Sequence, residues 1–294
     1  MTDTPLRRSR RELLKQAAAL CGGLAAANGL HAAAGRGAGR FSIGACDWSI
    51  GMRARTGALE LAQRLGLDGV QVSMGGLDND VHLRRPEVQQ AYRDAAAVHG
   101  IRIAGIALDV MNRVPYKSDP RARLWVANSV DVARALGVRV VLLAFFEQGD
   151  LRDDEAGQAE VIRRLKTVAP RAEDAGIILG IESWLSAAEH LRLIDAAGSP
   201  NVQVYYDVAN AHQMGHDIYQ EIRTLGPSRI CEFHVKENGF LLGQGRIDLA
   251  ALRQAIDDID YTGWLQIEGA IPKGAPMFES YTGNVRVLRT HFGE

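Results

Sequence analysis

Four times in this chain a helix-compatible stretch runs into a glycine and then straight into a short apolar segment. The four are LGLDGVQVS around Gly66, HGIRIAGIAL around Gly100, LGVRVVLLAF around Gly137 and AGIILGIES around Gly176. Glycine enters the left-handed backbone that ends a helix without steric penalty. An apolar run without polar alternation suits a strand buried on both faces of a parallel sheet. The repeated junction therefore predicts alternating strands and helices, with strands at 41–46, 69–73, 101–108, 138–145, 177–182, 202–206, 229–235 and 264–268. A helical stretch follows each one, the last being SYTGNVRVLRTHF. Eight such units in roughly 255 residues match the order and size of a single (β/α)8 TIM barrel, an α/β fold. A doubly wound sheet is the rival. It often places a glycine phosphate fingerprint after the first strand, where this chain has CDWSIGMRARTG. No low-complexity tract interrupts the pattern after residue 40, so residues 35–294 are expected to form one domain.

The first 34 residues read differently. Positive charge comes first, then a weakly apolar Ala/Gly/Leu stretch, then AAA at 32–34. That is the layout of a cleavable secretory signal. SRRELLK, Ser9 to Lys15, resembles the twin-arginine export motif, with Arg10 and Arg11 as the pair. The expectation is a signal peptide over 1–34, cleaved after Ala34 with Ala27 as the alternative, and a periplasmic or otherwise exported mature chain. Cys21 lacks the small preceding residue of a lipoprotein signal.

A formal net charge of −1 offers no basic field for a polyanion, which argues against nucleic-acid or membrane-surface binding. The cysteines, Cys21, Cys46 and Cys231, form no CxxC pair. A zinc ribbon or a thioredoxin-like site is thus not expected, and Cys46 and Cys231 read as small buried hydrophobes. The expected partner is a small molecule, and a homo-oligomer stays open.

In a barrel of this type, chemistry gathers at the C-terminal ends of the strands. Those ends carry Asp47 and Trp48, Gln71 and Ser73, Asp109 and Asn112, Glu147, Glu182, Asp207, His234 with Lys236, and Glu268. Glu182, Asp207, His234 and Glu268 occupy four consecutive strand ends. Converging carboxylates repel one another or take up protons, and a divalent cation relieves that repulsion. Three carboxylates and an imidazole suit a borderline-to-hard ion, Mn2+ first, with Mg2+, Co2+ or Zn2+ as alternatives. Taken singly, each has a plainer reading. Asp207 can cap the next helix, His234 can be a core histidine, and each glutamate can pair with an arginine. Lys236, two residues past His234, shares its side of the strand and is a candidate for holding an enolate oxygen. Trp48, Gln71, Asp109, Glu147, Asn210 and His212 are the rim candidates for substrate binding.

At these residues the chain resembles the xylose-isomerase-like TIM-barrel superfamily, in particular its sugar phosphate isomerase/epimerase proteins. The likeness is densest in YYDVANAHQMGHD, EFHVKENGFLLGQGRID and DYTGWLQIEGA. It implies a metal held by Glu182, Asp207, His234 and Glu268, with the two glutamates acting as acid and base on opposite faces of a sugar. Asn210 stands where those epimerases often have a histidine, and Glu189 and Lys236 are the candidates for their substrate clamp. The superfamily's endonuclease branch is rich in zinc-binding histidines, which this near-neutral chain does not match.

The expected function is a metal-dependent isomerase or epimerase of a ketose or keto-sugar, working through an enediolate. A lyase or dehydratase acting on a keto-glycoside or inosose uses the same first step. A non-catalytic sugar-binding barrel is the other alternative. Export favours unphosphorylated sugars over sugar phosphates.

Overall fold

A computed structural model describes residues 39–293; the expected export signal at 1–34 lies outside them. Eight parallel strands close in sequence order into a barrel, β1 pairing with both β2 and β8. They are β1 Phe41–Cys46, β2 Gly69–Ser73, β3 Arg102–Leu108, β4 Val140–Phe145, β5 Ile178–Ser183, β6 Val202–Asp207, β7 Ile230–Val235 and β8 Gly263–Ile267. The expected order holds throughout; β1 and β2 match their expected bounds and the others shift by at most two residues. The largest shift is at β4, which starts at Val140 rather than at 138. The helices are α1 Gly57–Leu65, α2 Pro86–His99, α3 Pro120–Leu136, α4 Glu155–Ala175, α5 Ala187–Ala197, α6 Val208–Gln213, α7 Ile218–Leu225, α8 Leu249–Asp258 and α9 Met277–Phe292.

The four junction glycines do what the pattern requires. Gly66, Gly100, Gly137 and Gly176 follow α1 to α4 with φ between 62° and 75°. A side chain there would strain the turn that brings each helix back toward the sheet.

All residues of β2, β4 and β5 are buried, as expected for strands covered on both faces. One apolar set, including Ile43, Val72, Val141, Leu179 and Phe233, packs outward against the helices. The opposite set faces the barrel interior: Ala107, Val140, Leu142, Ala144, Ile178 and Tyr205 form a separate cluster, with Trp48 and Phe146 against it. Period-two alternation divides the two sets, and it also decides which strand-end residues point into the barrel mouth. Among the described residues no helix is long and apolar enough to cross a membrane.

Candidate active site

Register and alternation bring four side chains to one place. Asp207 closes β6 and stands level with His234 of β7, which stands level with Gln266 of β8. Glu268 lies two residues past Gln266 and Lys236 two past His234, so both keep the inward direction. Glu182, level with Ala144 of β4, completes the set.

Glu182, Asp207, His234 and Glu268 each offer a donor atom, all within 4.8 Å of one another. His234 Nδ1 lies 2.9 Å from Glu182 Oε1, 3.6 Å from Glu268 Oε2 and 3.9 Å from Asp207 Oδ2. Lys236 Nζ donates to Glu268 Oε2 at 2.8 Å and lies 3.5 Å from Asp207 Oδ2. Trp48 Nε1–H donates to the other Glu268 oxygen at 2.8 Å. Asp207 divides its labour: Oδ1 accepts the Ala209 and Asn210 N–H groups at the start of α6, leaving Oδ2 for the cluster. The helix-capping reading of Asp207 and its place in the cluster are therefore both correct.

The two glutamates differ electrostatically. Burial pushes Glu182 up to about 7, against the pull of His234. Burial would raise Glu268 as well, but the ammonium of Lys236, then His234, bring it down to about 2. Burial also raises Asp207. For His234, burial acts downward, and the surrounding Cys46, Glu182 and Glu268 hold it well above the usual imidazole range. Three carboxylates thus share a buried mouth with one ammonium and one imidazole. Burial, with the neighbouring Glu268 and Asp207 adding to it, leaves Glu182 poised near neutrality. Three oxygen donors and one nitrogen donor at this spacing fit a divalent cation.

The other predicted residues scatter. Trp48 bonds directly to Glu268, and Asn210 Oδ1 lies 3.4 Å from Lys236 Nζ. His212 lines a neighbouring cavity of about 400 Å³ between α6 and the loop after β7, with Asn238, Phe240 and Arg246. Asp109 is engaged by Arg53 at 2.7 Å and by Ser73 Oγ at 2.8 Å. Glu147 is exposed in the turn after β4 and joins no cluster. Glu189 completes a capping box with Ser186 at the start of α5, which occupies the carboxylate proposed for a substrate clamp. Gln71 needs correcting: it sits mid-strand in β2 and is fully buried, on the side of His234 away from the carboxylates, so it does not line the rim.

Cys46 is the residue that reading strand ends passed over. It is buried, as expected of a small hydrophobe, yet its Sγ lies 3.3 Å from His234 Nε2. Burial pushes its thiol up to about 12. The signal was present, since Cys46 precedes Trp48 by two residues and so shares its inward face. Phe146 and Trp184, with ring centroids 5.1 Å apart, and Arg152, 4.5 Å over Trp184, form an aromatic rim beside β4 and β5 that was also missed.

Comparison with known proteins agrees with this architecture. A 2-epi-5-epi-valiolone 7-phosphate 2-epimerase from Actinoplanes sp. is 26% identical over 222 residues, covering 72% of this chain and 82% of the relative. The D-psicose 3-epimerase of Clostridium cellulolyticum H10, solved with D-tagatose, superposes with a TM-score of 0.73 at 18% identity, over 86% of this chain and 99% of that one. The 3-keto-D-glucoside 4-epimerase YcjR from E. coli superposes with a TM-score of 0.70 at 14% identity, over 85% of this chain and 99% of that one. Identities this low establish a shared fold. The family model described as a xylose isomerase-like TIM barrel matches residues 59–291. The chain belongs to the xylose isomerase-like TIM barrel family.

Proposed function

We propose that this chain is a divalent-cation-dependent epimerase or isomerase of a ketose or keto-sugar. One observation carries the reading: two glutamates, an aspartate and a histidine at four consecutive strand ends bring their donor atoms within 4.8 Å of one another. The curated relatives, sugar epimerases by name, support an enzyme of the isomerase/epimerase class.

Glu182, Asp207, His234 and Glu268 hold the cation, with Mn2+ the best match to the donor set. Bound there, it supplies Lewis-acid polarisation of a carbonyl oxygen. The remaining work falls to the chain itself. Glu268, kept ionised by Lys236 and fixed at its other oxygen by Trp48, removes the proton α to the carbonyl. Glu182, across the cluster from Glu268, returns a proton from the other side. Lys236 also stabilises negative charge developing on the substrate oxygen. Trp48 and Phe146, packed against the interior cluster, give the mouth an apolar wall for the sugar carbons. The twin-arginine stretch supports a periplasmic enzyme, and with it an unphosphorylated substrate.

The test is metal analysis of natively purified protein, followed by hydrogen exchange in D2O on a panel of ketoses and 3-keto-glycosides. The expected outcome is a divalent ion near one per chain and deuterium entering carbon-bound positions of at least one sugar. Absence of both sinks the proposal. Release of an aglycone in the same panel converts the reading to a lyase on this site. Binding without exchange reduces it to a sugar-binding barrel.

A further inference from the structure

His234 has two ring nitrogens, and they face different surroundings. Nδ1 points to the carboxylates, 2.9 Å from Glu182 Oε1. Nε2 points to Gln71 Oε1 at 2.8 Å and Cys46 Sγ at 3.3 Å. Gln71, Cys46 and His234 are all fully buried, so no bulk water competes for these contacts. Cys46, at the end of β1, is the register partner of Gln71 in the middle of β2, while His234 comes from β7. The contact therefore crosses the barrel interior.

The amide of Gln71 has one accepting end and one donating end. Its Oε1 lies within reach of two donors, His234 Nε2–H and the Cys46 thiol at 3.3 Å. Its Nε2 finds no acceptor among the described residues. The reversed amide would set an N–H group against the Nε2–H proton. It would suit only the opposite tautomer, whose Nδ1–H is aimed at Glu182. Only the oxygen-inward orientation keeps a proton on Nε2 and lets a cation replace the Nδ1 proton that Glu182 otherwise accepts. A carbonyl partner of this kind sets the tautomer of a ligating histidine and raises its basicity. Tyr205, 4.5 Å from the imidazole centroid, and Trp48, edge-on at 6.2 Å, restrain the ring itself.

We propose that Gln71 is a positioning residue: it locks His234 in the Nε2–H tautomer, so that the imidazole takes the divalent cation through Nδ1. Cys46 contributes a second donor to Gln71 rather than a ligand. The rival assembly is Cys46, His234 and Glu268, whose donor atoms also lie within 4.8 Å of one another. That assembly uses the thiolate and breaks the Gln71 contact. The inference rests on the proposed cation site.

The experiment uses full-length protein carrying 15N-labelled histidine and loaded with Zn2+ as a diamagnetic probe. Long-range nitrogen–proton correlation spectra are expected to show His234 protonated on Nε2 and ligating through Nδ1. Alongside, cation affinity is measured by chelator competition. Gln71→Met, similar in length but without the accepting oxygen, is expected to bind about 10- to 100-fold more weakly. Gln71→Glu, which keeps an acceptor, is expected to stay within about threefold of wild type. Co2+ loading is expected to give no thiolate charge-transfer band. Ligation through Nε2, a cobalt–thiolate band, or an unchanged affinity in a folded Gln71→Met protein overturns the proposal. If Gln71→Met does not fold, the wild-type spectra alone decide. Wild-type protein that takes up neither Zn2+ nor Mn2+ overturns the cation site and this inference together, whereas uptake through the wrong nitrogen overturns this inference alone.

Discussion

The two halves of the barrel mouth meet the same difficulty in different ways. On the β1–β4 side, Asp47 accepts the N–H groups of Ala54 and Ser73, and Asp109 is held by Arg53 and Ser73. On the β5–β8 side, Glu182, Asp207 and Glu268 share one ammonium, Lys236, and one imidazole, His234. Carboxylates at strand ends are common to both sides, so their presence alone marks no function. What separates the halves is convergence: Asp47 and Asp109 are held by separate groups, although burial pushes Asp47 up to about 7 and its Oδ1 finds no partner among the described residues, whereas Glu182, Asp207 and Glu268 crowd around one point. A third solution lies inside the barrel, where Glu232 accepts from Tyr205 and burial pushes it up to about 8. An arginine or backbone N–H groups, a bound proton, or an external cation each settle a buried carboxylate, and only the last leaves the protein dependent on something it must acquire.

That contrast can be broken most sharply at the glutamates. Glu268→Gln and Glu182→Gln are each expected to lower solvent exchange into the responsive sugar by about 10²–10⁴-fold, the span of a lost acid or base. An exchange rate within tenfold of wild type for both variants would remove them from the chemistry. Next comes cation removal. With the ion present at about a thousand times its Kd, stripping it with a chelator is expected to lower Tm by roughly 10 °C. The same treatment of a Glu182→Gln/Glu268→Gln double variant should move Tm far less, and equal shifts would place the ion elsewhere.

Glu232 sharpens the comparison through pH. Its folded-state pKa of about 8 lies above the ordinary 4.5, so the folded chain keeps a proton that the unfolded chain releases. Its contribution is therefore fully present below about 4.5 and is lost as pH rises through about 8. Between pH 5 and 9, wild-type Tm should fall roughly 10 °C further than that of Glu232→Gln. Parallel curves would mean that Glu232 is ionised in the fold. The smallest effect belongs to the β1–β4 half. Arg53→Ala, which removes a partly exposed ion pair, should cost about 1 kcal/mol, or roughly 3 °C, and leave cation affinity unchanged. A tenfold loss of cation binding in that variant would join the two halves into one site.

Much of the molecule was legible in the chain before any coordinates. Strand and helix order, the helix-ending glycines, and the inward direction of Glu182, Asp207, His234, Lys236 and Glu268 all follow from local backbone rules. These rules act over a few residues, so a linear sequence carries them intact. Gln71 looked like a further rim residue by the same rules, and there the reading failed, while Asp109 already has an arginine partner. Asp109 meets Arg53 from the loop after β1, and Gln71 meets His234 across 163 positions of chain. No local signal records such pairings, because they exist only once β1 closes against β8 and opposite strands face each other. The sequence by itself determined which groups could reach the barrel mouth and interior. The tertiary structure decided which of them already had partners, because the energy of a buried charge is set by the atoms around it and not by its neighbours in the chain.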